Sequence, residues 1–159
     1  MISIDKIRTL EEIDKCLNIS LELFSHYESN EIGIDEVYCR ENLIALAKRG
    51  DFFRIVKYND ELVGWVAAKV SSPYLHSREK VLYQLYYHCS LSGYSAVKAL
   101  ILVHEAMIEA AREKNIRLVV TSSELDNYET FNRVLLKQGW IKRNKSLIYL
   151  KLSAGAEAM

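Results

Sequence analysis

Val81–Asn115 reads VLYQLYYHCSLSGYSAVKALILVHEAMIEAAREKN, and the change of period within it decides the fold. Tyr83–Tyr87 is apolar and aromatic, the composition of a buried strand. Ser90-Leu91-Ser92-Gly93-Tyr94-Ser95 breaks that run with small residues. From Ala96 to Ala111 the chain is nearly all apolar and predicts a long helix. A turn of this kind leaves several backbone N–H groups unpaired at the positive end of a helix dipole, a ready site for a phosphate or pyrophosphate. It can equally be a plain strand-to-helix turn capped by Ser92.

Downstream, Arg117–Ser122 (RLVVTS) is a short buried strand. Strand, long helix and strand make a βαβ unit, which predicts a parallel pair with a right-handed crossover. Asn127–Lys137 reads as a helix with Phe131, Val134 and Leu135 inward, closed by Gly139. Ile141-Lys142 and Leu147–Leu152 predict a final hairpin about Asn144. Upstream, Ile2–Ile7 alternates as an edge strand would. Thr9-Leu10-Glu11-Glu12 fits a capping box, and Ile13, Leu17, Leu21 and Phe24 carry a helix to about His26. A polar link, Glu28–Ile34, leads to Asp35, which can cap a second helix ended by Gly50. Those two helices and their link suit a lid. Phe52–Tyr58 and Leu62–Val70 form a hairpin at Asn59-Asp60. Gly64 marks a bulge or a close backbone approach. Ser71–Lys80, with the only proline, is the one long loop. The order predicts an α+β fold: a mixed, mostly antiparallel sheet with one parallel strand pair and four flanking helices. Residues 1–152 make one domain, and 153–159 (SAGAEAM) a tail.

A chain of 159 residues can bury a real core. Lys plus Arg and Asp plus Glu both number 21, so no global charge points to nucleic acid or a membrane. Cys16, Cys39 and Cys89 follow no metal or disulfide spacing and read as reduced thiols in a cytoplasmic protein. Met1–Leu10 shows no signal-peptide pattern, and no apolar run is long enough to cross a bilayer.

The order of elements resembles the GNAT acetyltransferase superfamily over Ile2–Leu152. That family follows its fourth strand with a Q/R-x-x-G-x-G/A turn whose amides hold the pyrophosphate of acetyl-coenzyme A. Ser90–Ser95 stands in its place: Gly93 matches the first glycine, Ser90 replaces Gln or Arg, and Ser95 the second small residue. Gly139-Trp140 keeps the end of the family's Tyr-x-x-x-Gly-Phe pattern, with Leu135 where its tyrosine would stand. The wording YYHCSLSGYSAVKALILVHEAMIEAA with LLKQGW also resembles small acetyltransferases encoded by bacteriophages, which implies a bacterial cytoplasm.

The resemblance implies direct transfer of an acetyl group from acetyl-coenzyme A to a primary amine of a small molecule or a protein. Cys89, Ser90, Ser92, Gly93, Tyr94, Ser95 and Ala96 would lie along the cofactor, with Asn127 on the pantetheine amides or merely capping its helix. Lys98 can supply the charge missing at Ser90, or be a solvated helix residue. Backbone N–H groups near Tyr87–Cys89 would meet the developing oxyanion. An amine of pKa near ~10.4 needs a base at neutral pH. His88, which ordinarily titrates in that range, is one candidate, and a half-buried histidine held by a carbonyl is the alternative. Glu124 can take the proton through water or be a surface glutamate. Tyr128 can protonate the thiolate or simply pack. Cys89 reads as a structural thiol rather than a nucleophile, and His104 and Glu105 carry no catalytic role. Tyr83, Tyr86 and Tyr87 can line an acceptor pocket or belong to the core. The departures at Ser90 and Leu135 leave open a non-catalytic binding or inhibitor module. A homodimer pairing through Leu147–Leu152 is compatible with either.

Overall fold

The computed structural model describes residues 1–25, 33–73, 75–122, 128–142 and 147–152. Their elements are β1 (Ile2–Lys6), α1 (Leu10–Ser25), α2 (Glu36–Arg49), β2 (Phe52–Tyr58), β3 (Glu61–Ser71) and β4 (Val81–Cys89). There follow α3 (Gly93–Glu113), β5 (Leu118–Ser122), α4 (Tyr128–Lys137), β6 (Ile141–Lys142) and β7 (Leu147–Lys151). The expected order and the mixed sheet are both present. Seven strands run β1-β2-β3-β4-β5-β7-β6, and only β4 and β5 are parallel.

Local chemistry explains the boundaries. Thr9 Oγ1 accepts from the Glu12 N–H at 3.1 Å while Glu12 Oε1 accepts from the Thr9 N–H at 3.0 Å, so α1 opens with the predicted capping box. Asp35 accepts from the Tyr38 N–H, and Gly50 closes α2 in the left-handed region at φ 80°. Asn59 and Asp60, both at positive φ, make the two-residue turn between β2 and β3.

Two apolar layers cover the sheet. On one face Ile13, Cys16 and Leu17 of α1 and Leu43 of α2 pack on Phe53, Ile55, Trp65 and Ala67. On the other, Leu100, Val103 and Met107 of α3 pack on Val66, Leu82 and Val119. Arg40 Nε donates to Asp14 at 2.7 Å, tying α2 to α1.

Two bulges shape the middle of the sheet. Gly64 pairs with Val56 but Leu62 with Lys57, so Val63 is an extra residue on β3. Ala67 pairs with Tyr86 but Ala68 with Gln84, so Leu85 is an extra residue on β4. The β4 bulge breaks the two-residue alternation. Tyr86 and His88 fall on the α1–α2 face, opposite Ala67 and Trp65, whereas Tyr87 joins the α3 face. The expectation for Gly64 holds in both forms. A Cβ there would lie 2.7 Å from the His88 carbonyl oxygen and 3.0 Å from Cys89 Cα. In the strand expected to pair in a homodimer, β5 lines one edge along Leu147–Lys151, while β6 pairs with only Ile148 and Tyr149 on the other. The turn about Asn144 and the tail 153–159 lie outside the described residues.

Candidate functional site

β4 and β5 pair only at Val81–Leu118, Leu82–Val119 and Tyr83–Val120. Beyond Tyr83 the two strands part, while Gln84–Cys89 stays paired with β3 on its other side. Past the Leu85 bulge, alternate residues of Tyr86–Cys89 therefore point their backbone N–H and C=O toward the vacated side. A side-chain rung takes over where the backbone rungs stop: the Thr121 hydroxyl donates to the Gln84 amide oxygen at 2.8 Å. Thr121 Oγ1 also lies 3.0 Å from His104 Nε2, and His104 Nδ1–H donates to the Leu100 carbonyl at 2.8 Å. Burial pushes His104 down to about 4, so the ring is neutral.

The mouth of α3 opens beside this split. Gly93 begins the helix at φ 60° with no atom within 4 Å of where a Cβ would sit. Ser92 is the N-cap residue, yet its side chain makes no capping bond, and the first turn carries no acidic residue. Among the described residues no protein group accepts the N–H of Ser92, Gly93, Tyr94 or Ser95; the first amide engaged is that of Ala96, bonded to the Ser92 carbonyl at 3.4 Å. A cap made by Ser92, the plain alternative for this turn, is absent. Four unfilled donors at a positive helix end, with a parted strand pair alongside, make an anion cradle that opens onto a cleft.

On the opposite face, α1, α2, β3 and β4 enclose a cavity of about 710 Å³, within the usual range for small-molecule sites. Leu85, Tyr86 and His88 reach it from β4, all past the last residue paired with β5. Its polar centre is a chain of three side chains. Trp65 Nε1–H donates to Ser20 Oγ at 2.8 Å, and Ser20 Oγ lies 2.8 Å from His88 Nδ1. Indole N–H can only donate, so Ser20 accepts from Trp65; among the described residues Nδ1 is the one acceptor bonded to the Ser20 hydroxyl, which is satisfied when it gives its proton there.

His88 is 8% exposed, with Trp65, Phe24 and Tyr86 ring centroids 5.1, 5.4 and 6.2 Å away. That burial pushes it down to about 4. The expectation that it titrates near neutrality is thereby corrected. In the unfolded chain both His88 and His104 titrate near 6.5, so between about 4 and 6.5 the folded protein holds fewer protons than the unfolded one. Stability is then full above pH 6.5 and falls as pH drops toward 4, by roughly 2–3 kcal/mol per ring. Urea midpoints should be clearly lower at pH 4.5 than at pH 7.5, and His88→Gln should remove about half of the difference. Equal midpoints across that window would mean that both rings meet water.

By sequence, no family model and no curated protein matches this chain. By structure it is similar to PaiA N-acetyltransferase from Thermoplasma acidophilum in complex with coenzyme A, at 15% identity and a TM-score of 0.61 over 96% of this chain and 99% of that one. It is similar also to YncA from Salmonella typhimurium, solved with acetyl-CoA (14%, 0.68, 98% and 96%). A GNAT-family acetyltransferase from Streptococcus pneumoniae matches at 12% and 0.63 over 96% and 100%. The chain has the GNAT fold.

Within that fold the residues expected to hold a cofactor divide. Ser92, Gly93, Tyr94 and Ser95 present free amides, and Ala96 is buried behind them. Ser90 turns away: its N–H and its hydroxyl both donate to the Val63 carbonyl, at 2.9 and 3.0 Å. The bulge at Val63 is what aims that carbonyl, and Ser90 keeps no donor for a phosphate. The Cys89 thiol, pushed up by burial, accepts from the Leu91 N–H and the Tyr87 hydroxyl. Lys98 is exposed. Leu135 is buried at 3% and belongs to the core where the family's tyrosine would stand. Tyr86, half exposed, lines the cavity, whereas Tyr87 packs at the other face with its ring 6.5 Å from His104. Glu124 and Asn127 lie outside the described residues, and Tyr128 opens α4. Ser20 and Trp65 went unremarked in the sequence. The available signal was a polar Ser20 inside the apolar stripe Ile13, Cys16, Leu17, Leu21 and Phe24.

Proposed function

We propose that the protein is an acetyl-coenzyme A-dependent N-acetyltransferase that passes the acetyl group directly to a primary amine held in the α1–α2 cavity. The observation that carries this reading is the coincidence of three openings: the parting of β4 and β5 after Tyr83 and Val120, the free amides of Ser92–Ser95, and the cavity reaching β4 at Leu85–His88. In this reading the amides and the helix dipole bind the pyrophosphate. Backbone groups of Tyr86–Cys89 that face away from β3 bond to the pantetheine arm and meet the developing oxyanion. The cofactor, when bound, supplies a thioester whose sulfur leaves as a thiolate of pKa near ~8.5, with little need of an acid. Glu124 is the proposed base acting through water, Tyr128 the acid, and Asn127 a pantetheine contact; all three belong to the stretch that runs from the end of β5 into α4.

The solved complexes of PaiA with coenzyme A and YncA with acetyl-CoA support the choice of cofactor. The acceptor, a small molecule or a protein amine, arrives on the face opposite α3. No described helix is long and apolar enough to cross a membrane. Three free cysteines, with Cys16 and Cys89 both pushed up by burial, fit a reducing cytoplasm, a bacterial one if the likeness to phage-encoded enzymes holds.

One observation favours a second reading, a binding module of the same fold: among the described residues that line the cavity, no carboxylate is present and the His88 lone pair is already engaged by Ser20. Calorimetry with acetyl-CoA, followed by an amine panel with thiol detection, separates the two. Micromolar binding with thiol release supports the enzyme; binding without release supports the module; no binding at millimolar cofactor defeats both.

A further inference from the structure

We propose that the cavity between α1–α2 and the sheet takes a small amine with an aromatic or branched apolar body and a carboxylate, and that His88 Nε2–H donates to that carboxylate. The inference rests on the acetyltransferase reading only for the fate of the amine; recognition stands on the cavity itself.

The proton count comes first. Ser20 Oγ accepts from Trp65 Nε1–H at 2.8 Å, and among the described residues the one acceptor bonded to its own proton is His88 Nδ1, also at 2.8 Å; the reverse tautomer would leave both that proton and the Nε2 lone pair without a partner. A neutral imidazole whose Nδ1 accepts must carry its hydrogen on Nε2. No bond from the described residues reaches Nε2, although the ring is buried at 8% exposure and lines the cavity. A buried N–H without an acceptor is unfavourable, and a ligand oxygen removes the penalty. Trp65, held by Ser20 and stacked on Phe53 at 5.4 Å and 7°, makes this a rigid donor rather than a swinging one. His88 is thus a reader of hydrogen-bond acceptors, and its base role gives way to that of a donor.

The walls give the rest of the class. Phe24, Trp65 and Tyr86 surround the donor with ring faces and edges, which favours a flat or branched apolar body. The charged residues among the described lining are Lys48 and Arg49, both cationic. A polyamine or an aminoglycoside would bring its several positive charges to a wall with no carboxylate to meet them. A monoamine with a carboxylate meets favourable charge, and nearby cations also hold its amine toward the neutral form that attacks a thioester.

The test uses the full chain and three probes: L-phenylalanine, L-phenylalaninamide and 2-phenylethylamine. Calorimetry without cofactor should show phenylalanine binding at least about 10-fold more tightly than 2-phenylethylamine, with the amide between them. His88→Gln, which keeps an N–H near the same place, should retain most of that preference; His88→Leu should reduce it to less than about 2-fold. Nitrogen-15 spectra of the unaltered protein should show the Nε2–H tautomer, a readout that needs no variant to fold. Equal affinity for the three probes, no binding of any, an unchanged preference in His88→Leu, or the Nδ1–H tautomer would each overturn the proposal. Turnover assays with acetyl-CoA keep the two readings apart. Preference without transfer removes the enzyme and leaves the donor, and transfer without preference does the reverse.

Discussion

Ser92→Asp is expected to weaken coenzyme A binding by roughly 10- to 100-fold while leaving the thermal midpoint unchanged or higher. The two effects have one cause. Ser92 occupies the N-cap of α3 with extended backbone, φ −131° and ψ 167°, and makes no side-chain cap. An aspartate in that geometry reaches the N–H groups of the second and third helical residues, Tyr94 and Ser95, and adds a negative charge at the positive end of the dipole. Each change favours the helix, by up to about 1 kcal/mol. A gain of that size raises the midpoint of a 159-residue chain by about 2–4 °C. The same amides are those proposed for the pyrophosphate, so the carboxylate both occupies them and repels the incoming charge. Calorimetric affinity for coenzyme A and a thermal melt of the same sample make the comparison. Unchanged affinity would show that the phosphates bind elsewhere. A lowered midpoint would show that Ser92 has a structural role missed above.

Much of this arrangement is legible in the sequence, because the chain announces each change of period. The switch at Ser90–Ser95 from an aromatic strand to a helical stripe predicts the βαβ unit and puts a free helix mouth beside parallel strands. What the sequence hides is set by distant partners. Leu85 lies between Gln84 and Tyr86 in a run with no polar–apolar alternation, so nothing there reveals that it is the extra residue that turns Tyr86 and His88 to one face and Tyr87 to the other. Ser90 stands where the GNAT turn has Gln or Arg, but its donors go to Val63, 27 residues earlier, through a bulge in another strand. In the sequence His88 reads as a titrating base at a strand end or a half-buried histidine held by a carbonyl. Its protonation is instead governed by Ser20, 68 positions away, and by Trp65 on the neighbouring strand. Local pattern fixes the elements; proton positions and free donors depend on packing that the pattern does not encode.

Gly64→Ala carries the other large expected effect, since it strikes both halves of the site through one contact. Gly64 pairs with Cys89 at the end of β4, and a Cβ there would lie 2.7 Å from the His88 carbonyl oxygen, 3.0 Å from Cys89 Cα and 3.1 Å from Cys89 Cβ. The first two of these atoms are backbone, so relief requires the strand itself to move. Overpacking of this kind costs about 1–3 kcal/mol, or a fall of roughly 2–12 °C in the midpoint. The displaced residues are His88, which lines the cavity, and Cys89, which leads into the amide cradle three residues on. Coenzyme A affinity and recognition of the acceptor should therefore fall together, beyond what stability alone explains at 25 °C. Gly50→Ala is the control. Gly50 sits at φ 80° with open space around it, so alanine there meets only left-handed backbone strain of about 1–2 kcal/mol. It should lower the midpoint by a comparable amount and leave coenzyme A binding untouched. If Gly64→Ala and Gly50→Ala reduce binding alike, loss of stability accounts for both, and the close approach of β3 to β4 has no special hold on the site. If Gly64→Ala alone reduces it, the absence of a side chain at Gly64 is what lets the end of β4 lie where cofactor and acceptor meet.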